Sequence, residues 1–291
     1  MIIVITGPTC LGKSESAIRV AKAFNAEIVN GDAFQSYKEM DIGVAKPSKE
    51  QLTSVPHHLY SFVSPTESYS IMEYQKALRE KVNELLSKGK NVVIVGGSGL
   101  YIRAALYDYE FKDEEPFDTS VFDKMSNEEL HKKLEEIDPE DAKKIHPNNR
   151  KRLIRALSIY ESQNKTKSEI LADQKHEPIF KDVRFFVRDM DREELYARIN
   201  TRVDKMMELG LENEVKSLYK KYGEHIQCMQ AIGYKELIPY FKGETSKLDA
   251  VELIKKNTRN YAKRQMTFIR HQFPVIFYKD DTQLLEAIKN G

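Results

Sequence analysis

A glycine-bounded loop between an apolar run and an amphipathic stretch constrains this chain more than any other feature. Ile2, Ile3, Val4 and Ile5 form an unbroken, β-branched run, the pattern of a strand buried on both faces. Gly7-Pro8-Thr9-Cys10-Leu11-Gly12-Lys13-Ser14 then fits G-x-x-x-x-G-K-[ST]. Ser16 to Phe24 follows, with Ala17, Val20, Ala21 and Phe24 on one helical face. Strand, loop and helix in this order are the context that the motif needs. The four fixed positions coincide by chance in only roughly one chain in a hundred of this length.

The residue types fit one chemistry. Gly7 and Gly12 let backbone amides turn inward and approach phosphate oxygens. The helix start adds free N–H groups and the positive end of a dipole. Lys13 places a cation on the phosphates, and Ser14 can put its hydroxyl on Mg²⁺.

A length of 291 residues suits about two domains. A net charge of +1 means that any nucleic-acid surface is local. Cys10 and Cys228, the only cysteines, show no pairing pattern, which fits a reducing cytoplasm. The apolar start is short and lacks a basic leader, so no signal peptide is expected. No apolar run approaches the length of a membrane span.

Further along, Glu27 to Asn30 reads as a second strand ending in Gly31-Asp32. Ligands gather at the carboxyl ends of strands in open α/β sheets. Asp32 is therefore expected beside the glycine loop, one strand over, either in chemistry or as a turn or helix-cap residue. Met40 to Pro47 is a loop by its Gly and Pro, and His57-His58 suits a structural or substrate contact better than a metal. Ser70 to Lys88 has helical periodicity, stopped by Gly89. Asn91 to Val95 reads as a third buried strand, followed by Gly96-Gly97-Ser98-Gly99. That strand ends without the acidic residue that a nucleotide hydrolase offers to Mg²⁺, which argues against plain ATP hydrolysis.

Composition shifts at the acidic junction Asp113 to Pro116. From Ser126 to Lys165 the pattern is helical, opened by the capping box Ser126-Asn127-Glu128-Glu129. Arg150, Lys151, Arg152 and Arg155 crowd one end of a helix, either a solvated face or a contact for a phosphate backbone. Val183 to Val187 reads as a strand rejoining the sheet. Arg192 to Glu208 and Leu211 to Tyr222 read as helices, and Gln230 to Lys235 starts another element with an exposed-looking Tyr234. Lys255 to Arg270 is a basic, acid-free helix, and Val275 to Tyr278 is an edge strand.

In order, GPTCLGKS at 7–14, NGDAFQSY at 30–37, MDIGVAKP at 40–47, PHHL at 56–59, GGSGLYIRA at 96–104, HPNNRKRLIRAL at 146–157, QAIGYKE at 230–236 and RNYAKRQMTFIR at 259–270 resemble the tRNA dimethylallyltransferase family, also called isopentenyl-tRNA transferases. The resemblance covers almost the whole chain. It implies transfer of a dimethylallyl group from dimethylallyl pyrophosphate to N6 of the adenosine 3′ of the anticodon in tRNA. It also implies an α/β fold with a P-loop NTPase-like core, a parallel sheet flanked by helices, and a helical insertion domain. That places the core at 1–112 and 188–291 and the tRNA-contacting insertion at 113–187.

Carried over by position, Gly7, Pro8, Thr9, Cys10, Leu11, Gly12, Lys13, Ser14 and Arg202 would hold pyrophosphate, with Ser14 on Mg²⁺. Asp32 matches the general base, and Ser98 stands where a threonine hydroxyl usually meets the reacting centre. Asp32, Ala33, Phe34 and Gln35 match one tRNA-contacting stretch. Lys151, Arg152, Leu153, Ile154 and Arg155 match a second, and Gln230, Gly233, Tyr234 and Lys235 a third. Ala33 replaces the usual serine, Lys151 a common glutamine, and Tyr60-Ser61 a pattern that usually ends in an acid. No zinc-finger tail of the eukaryotic type is present, so a bacterial form is expected; separately, the protein is expected to be a cytoplasmic monomer. A P-loop small-molecule kinase and a nucleic-acid binding module with a regulatory loop are the rival readings.

Overall fold

The structure, a computed structural model, describes residues 1–109, 111, 117–172 and 177–290. The acidic junction Asp113 to Pro116 lies outside these residues. The described chain forms two compact units, Met1–Tyr107 with Pro178–Gly291, and Asp108–Glu177.

The larger unit is built on a six-stranded sheet with every pairing parallel. Its strands are β1 (Ile2–Thr6), β2 (Ala26–Asn30), β3 (His57–His58), β4 (Asn91–Gly96), β5 (Val183–Arg188) and β6 (Val275–Tyr278), in spatial order β3-β2-β4-β1-β5-β6. The period of two decides which side chains share a face. Ile2, Val4, Val92, Ile94, Phe185 and Val187 join one apolar cluster, while Ile3, Ile5, Val93, Val95 and Phe186 join another. Residues buried on both faces explain why β1 has no polar alternation. Each such side chain contributes about 1.5–3 kcal/mol on burial.

Helices cover both faces. Lys13–Ala23 presents Ala17, Val20 and Ala21 to the second cluster, together with Leu284 and Ile288 of the helix Asp281–Asn290. Ile71–Ser87 presents Tyr74, Leu78, Val82 and Leu85 to the first. Its start is fixed by the reciprocal bonds of Ser70 and Glu73, and Gly89 adopts a left-handed conformation just past its end, as the sequence implies. Lys13–Ala23 begins three residues before the apolar periodicity does, because Lys13 and Ser14 form its first turn.

Two expectations change. Asp32 is not one strand over from the glycine loop: β4 lies between β1 and β2. Gly31 and Gly96 make this insertion possible, since a Cβ on Gly96 would overlap the backbone of Gly31. The smaller unit also spans less chain than the expected 113–187 at its far end. Residues 183–188 pair with β1 on one side and β6 on the other, so hydrogen bonding assigns them to the sheet.

The smaller unit has its own core of Phe122, Leu130, Leu134, Leu153 and Leu157. Its helices include Asn127–Ile137 and Arg150–Gln163. The capping box at Ser126 forms as expected.

Candidate active site

The carboxyl ends of β1, β2 and β4 meet the glycine loop around a cavity of about 550 Å³. This is the usual place for a ligand in an open parallel sheet. The loop carries the unusual backbone angles that the motif implies: Gly7 at φ +134, Cys10 at φ +69 and Gly12 at φ +73. The Leu11 side chain points into the apolar core and pins the loop from beneath. Thr9, Cys10, Gly12, Lys13 and Ser14 line the cavity.

Asp32 enters the same cavity from the end of β2. Asn30 holds it there: Asn30 Oδ1 accepts the Asp32 N–H at 2.9 Å, and Asn30 Nδ2 donates to the carbonyls of Asp32 and Leu59 at 2.8 and 3.0 Å. Asp32 Oδ1 accepts the Phe34 N–H at 3.1 Å. Burial raises the Asp32 carboxyl above its usual value, against the opposing pull of Phe34 N–H, Lys13 and Arg202. The same burial lowers Lys13 to about 8, helped by Arg202 and resisted by Asp32. The three charged groups therefore act on one another electrostatically. Lys13 Nζ donates to the Pro8 carbonyl at 2.6 Å.

Arg202 comes from the helix Arg192–Glu208, which also sends Ile199, Val203 and Met206 into the cavity. Ala231, Ile232 and Ile254 extend this apolar wall. The lining thus combines cations and loop residues with apolar side chains.

Ser98 acts through backbone geometry. Its hydroxyl accepts the Ala33 N–H at 3.1 Å and meets the Tyr261 side chain. One turn further along Lys247–Gln272, Gln265 Nε2 donates to the Gly97 carbonyl at 2.8 Å. The tip of β4 is therefore tied both to the residue after Asp32 and to the long C-terminal helix.

The IPP transferase family model matches residues 35–272. The chain belongs to the IPP transferase family. A tRNA dimethylallyltransferase of Bacillus cytotoxicus is 47% identical to it over 284 residues, 95% of this chain and 89% of that protein. The enzyme of that name from Bacillus subtilis is 46% identical over 283 residues, 95% of this chain and 90% of the relative. Among solved structures, a tRNA delta(2)-isopentenylpyrophosphate transferase from Staphylococcus epidermidis aligns with a TM-score of 0.73 at 39% identity, covering 99% of this chain and 97% of that one. A eukaryotic dimethylallyltransferase acting on tRNA aligns with a TM-score of 0.81 at 28% identity, covering 99% of this chain and 77% of that one.

Within this IPP transferase, the residues expected to touch RNA divide into several groups. Asp32, Phe34, Gln35, Gln230, Gly233 and Lys235 line the cavity. Ala33 is half-buried beside Asp32. Lys151, Arg152 and Arg155 are exposed on the smaller unit, and Ile154 packs against that unit's core. Two residues cannot make the contact expected of them. Leu153 is fully buried, because its position on the helix faces the core of the smaller unit. Tyr234 is fully buried too, with its hydroxyl donating to Glu214 Oε1 at 2.5 Å. Arg150, read from sequence with the basic cluster, instead donates to the carbonyls of Met125 and Phe122 at 2.7 and 2.6 Å.

Sequence reasoning passed over Asn30 and Gln265 as positioning groups. A polar residue at the end of an apolar strand was the available signal for Asn30. Gln265 has no local signal, since its role depends on which loop the helix crosses.

Proposed function

We propose that this protein is a tRNA dimethylallyltransferase. It transfers the dimethylallyl group from dimethylallyl pyrophosphate to N6 of the adenosine on the 3′ side of the anticodon and releases pyrophosphate. One observation carries the reading: a half-buried, desolvated carboxylate, two cations and apolar side chains converge on one cavity beside the glycine loop.

Adenine N6 is a weak nucleophile, because its lone pair is shared with the ring. As N6 forms its bond to the allylic C1, the C1–oxygen bond to pyrophosphate breaks, and Asp32 accepts the N6 proton as general base. The departing pyrophosphate collects negative charge, which Lys13, Arg202 and the backbone N–H groups of Thr9 to Ser14 stabilise where it develops. Ile199, Val203 and Met206 shelter the prenyl chain from water. The adenine must leave its stack to reach Asp32, so a flipped base is expected.

Mg²⁺ is the expected cofactor. The described residues hold no group of three or more His, Cys, Asp or Glu that could bind a metal. The donor set still fits, because Mg²⁺ commonly takes one or two protein oxygens and completes its shell from phosphates and water. Ser14 would supply the protein oxygen, and the bound ion would add positive charge at the leaving group.

We further place the protein in the cytoplasm and read it as a monomer. No described helix is long and apolar enough to cross a membrane. The test is incubation with dimethylallyl pyrophosphate and tRNA, followed by nucleoside mass analysis. Prenylated adenosine supports the reading. ATP-dependent phosphorylation without prenyl transfer would overturn it in favour of a small-molecule kinase, which family membership disfavours.

A further inference from the structure

A carboxylate outside the cavity lining joins two of the cavity's walls, and the reaction steps above make no use of it. Glu214 lies on the helix Leu211–Tyr222. Its Oε2 accepts the backbone N–H groups of Asp41 and Ile42 at 2.9 and 2.8 Å. Its Oε1 accepts the Gly43 N–H at 3.0 Å and the Tyr234 hydroxyl at 2.5 Å. Three successive amides aimed at one anion form a compact, charge-assisted cradle.

Both elements held by Glu214 reach the cavity. Gly43 to Pro47 line it from one side, and Ala231, Ile232, Gly233 and Lys235 from another. The joint between them is tight: a Cβ on Gly43 would overlap the Tyr234 ring. The rest of the 41–47 loop is fastened as well. Gln35 Nε2 donates to the carbonyls of Val44 and Ala45 at 2.9 and 3.2 Å, and Lys46 Nζ donates to the Tyr37 carbonyl at 2.5 Å.

We infer that Glu214 is a positioning residue, with Tyr234 as its second arm, that fixes the spacing of these two walls and so the seat of the RNA acceptor. This rests on the functional reading above. The pyrophosphate groups sit elsewhere: Lys13 follows β1, and Arg202 lies on Arg192–Glu208. Loss of Glu214 therefore disturbs RNA use and leaves pyrophosphate binding intact.

The test compares wild type with Glu214→Gln and Tyr234→Phe. Glutamine keeps the size of the side chain but turns one acceptor into a donor that faces N–H groups. Three readouts are taken: hydrogen exchange at the amides of 41–43, affinity for inorganic pyrophosphate, and steady-state kinetics with an anticodon stem-loop RNA. The expected result for Glu214→Gln is faster exchange at 41–43, with the KM for RNA raised about tenfold. The affinity for inorganic pyrophosphate, which has no hydrocarbon tail to meet Ala231 and Ile232, stays within about twofold of wild type. Tyr234→Phe shifts the RNA constant in the same direction by a smaller factor.

Unchanged exchange at 41–43 overturns the inference. So does a parallel loss of RNA and pyrophosphate binding with a lowered melting temperature, which marks a role in general stability. Wild-type protein that forms no prenylated adenosine overturns the functional reading and the acceptor role with it; the exchange measurement is then judged separately, because it requires no turnover.

Discussion

At the scale of the residue, Asp32 and Lys13 show how burial sets chemistry. Asp32 lies among groups that favour its charged form, yet desolvation outweighs them and raises its pKa. A base must be deprotonated to act, so kcat/KM for RNA is expected to fall on acidification through a value above the ordinary 3.8. A pH–rate profile in saturating dimethylallyl pyrophosphate measures this limb. Asp32→Ala is expected to lower turnover by about 10²-fold or more while RNA binding survives. Filter binding beside single-turnover kinetics separates the two, and unchanged turnover would remove Asp32 from the role. Lys13 is displaced the other way, to about 8. Its cation is lost as pH rises past that point, so calorimetry should find pyrophosphate binding weaker at pH 9 than at pH 7.

At the scale of the element, the site depends on how closely two strand tips approach. Gly31 follows β2 directly and Gly96 ends β4, with the Gly31 N–H donating to the Val95 carbonyl at 2.8 Å. Gly96→Ala forces a Cβ into the Gly31 backbone, so a loss of about 3 kcal/mol or more is expected in urea unfolding. Ser98 is the polar counterpart of this contact. Ser98→Ala leaves the Ala33 N–H without its acceptor, a cost of about 1–3 kcal/mol at the site. Turnover should fall by about tenfold or more, and Ser98→Thr, which keeps the hydroxyl, should retain it. Equal rates for the two variants would show that the hydroxyl does not hold the loop.

At the scale of the whole molecule, a net charge of +1 leaves no general attraction for RNA. Affinity then rests on local cations, and Lys151 and Arg152 are two that stand exposed on the smaller unit. Replacing both with alanine should weaken RNA binding and reduce the slope of log K against log salt by about two. Titration at several salt concentrations measures that slope. A slope equal to wild type would take this helix out of the RNA contact. The mutation should leave pyrophosphate binding unchanged, since Lys13 and Arg202 belong to the other unit.

Local patterns in the chain were enough to determine the glycine loop, the buried strands, the helices Arg192–Glu208 and Leu211–Tyr222, and the place of Asp32 at a strand end. These depend on side-chain periodicity and backbone preference, which act over a few residues. They could not decide that β4 separates β1 from β2, because strand order depends on pairing between distant segments. The same limit applies to Tyr234. Beside a lysine it reads as exposed, whereas a carboxylate twenty residues away buries its hydroxyl and turns it into a brace. Arg150 and Leu153 likewise show that a basic stretch divides into exposed and internal groups only when the helix has a core to face. Sequence supplied the chemical groups, and tertiary packing decided which of them reach the cavity, because burial and long-range hydrogen bonding belong to the folded chain.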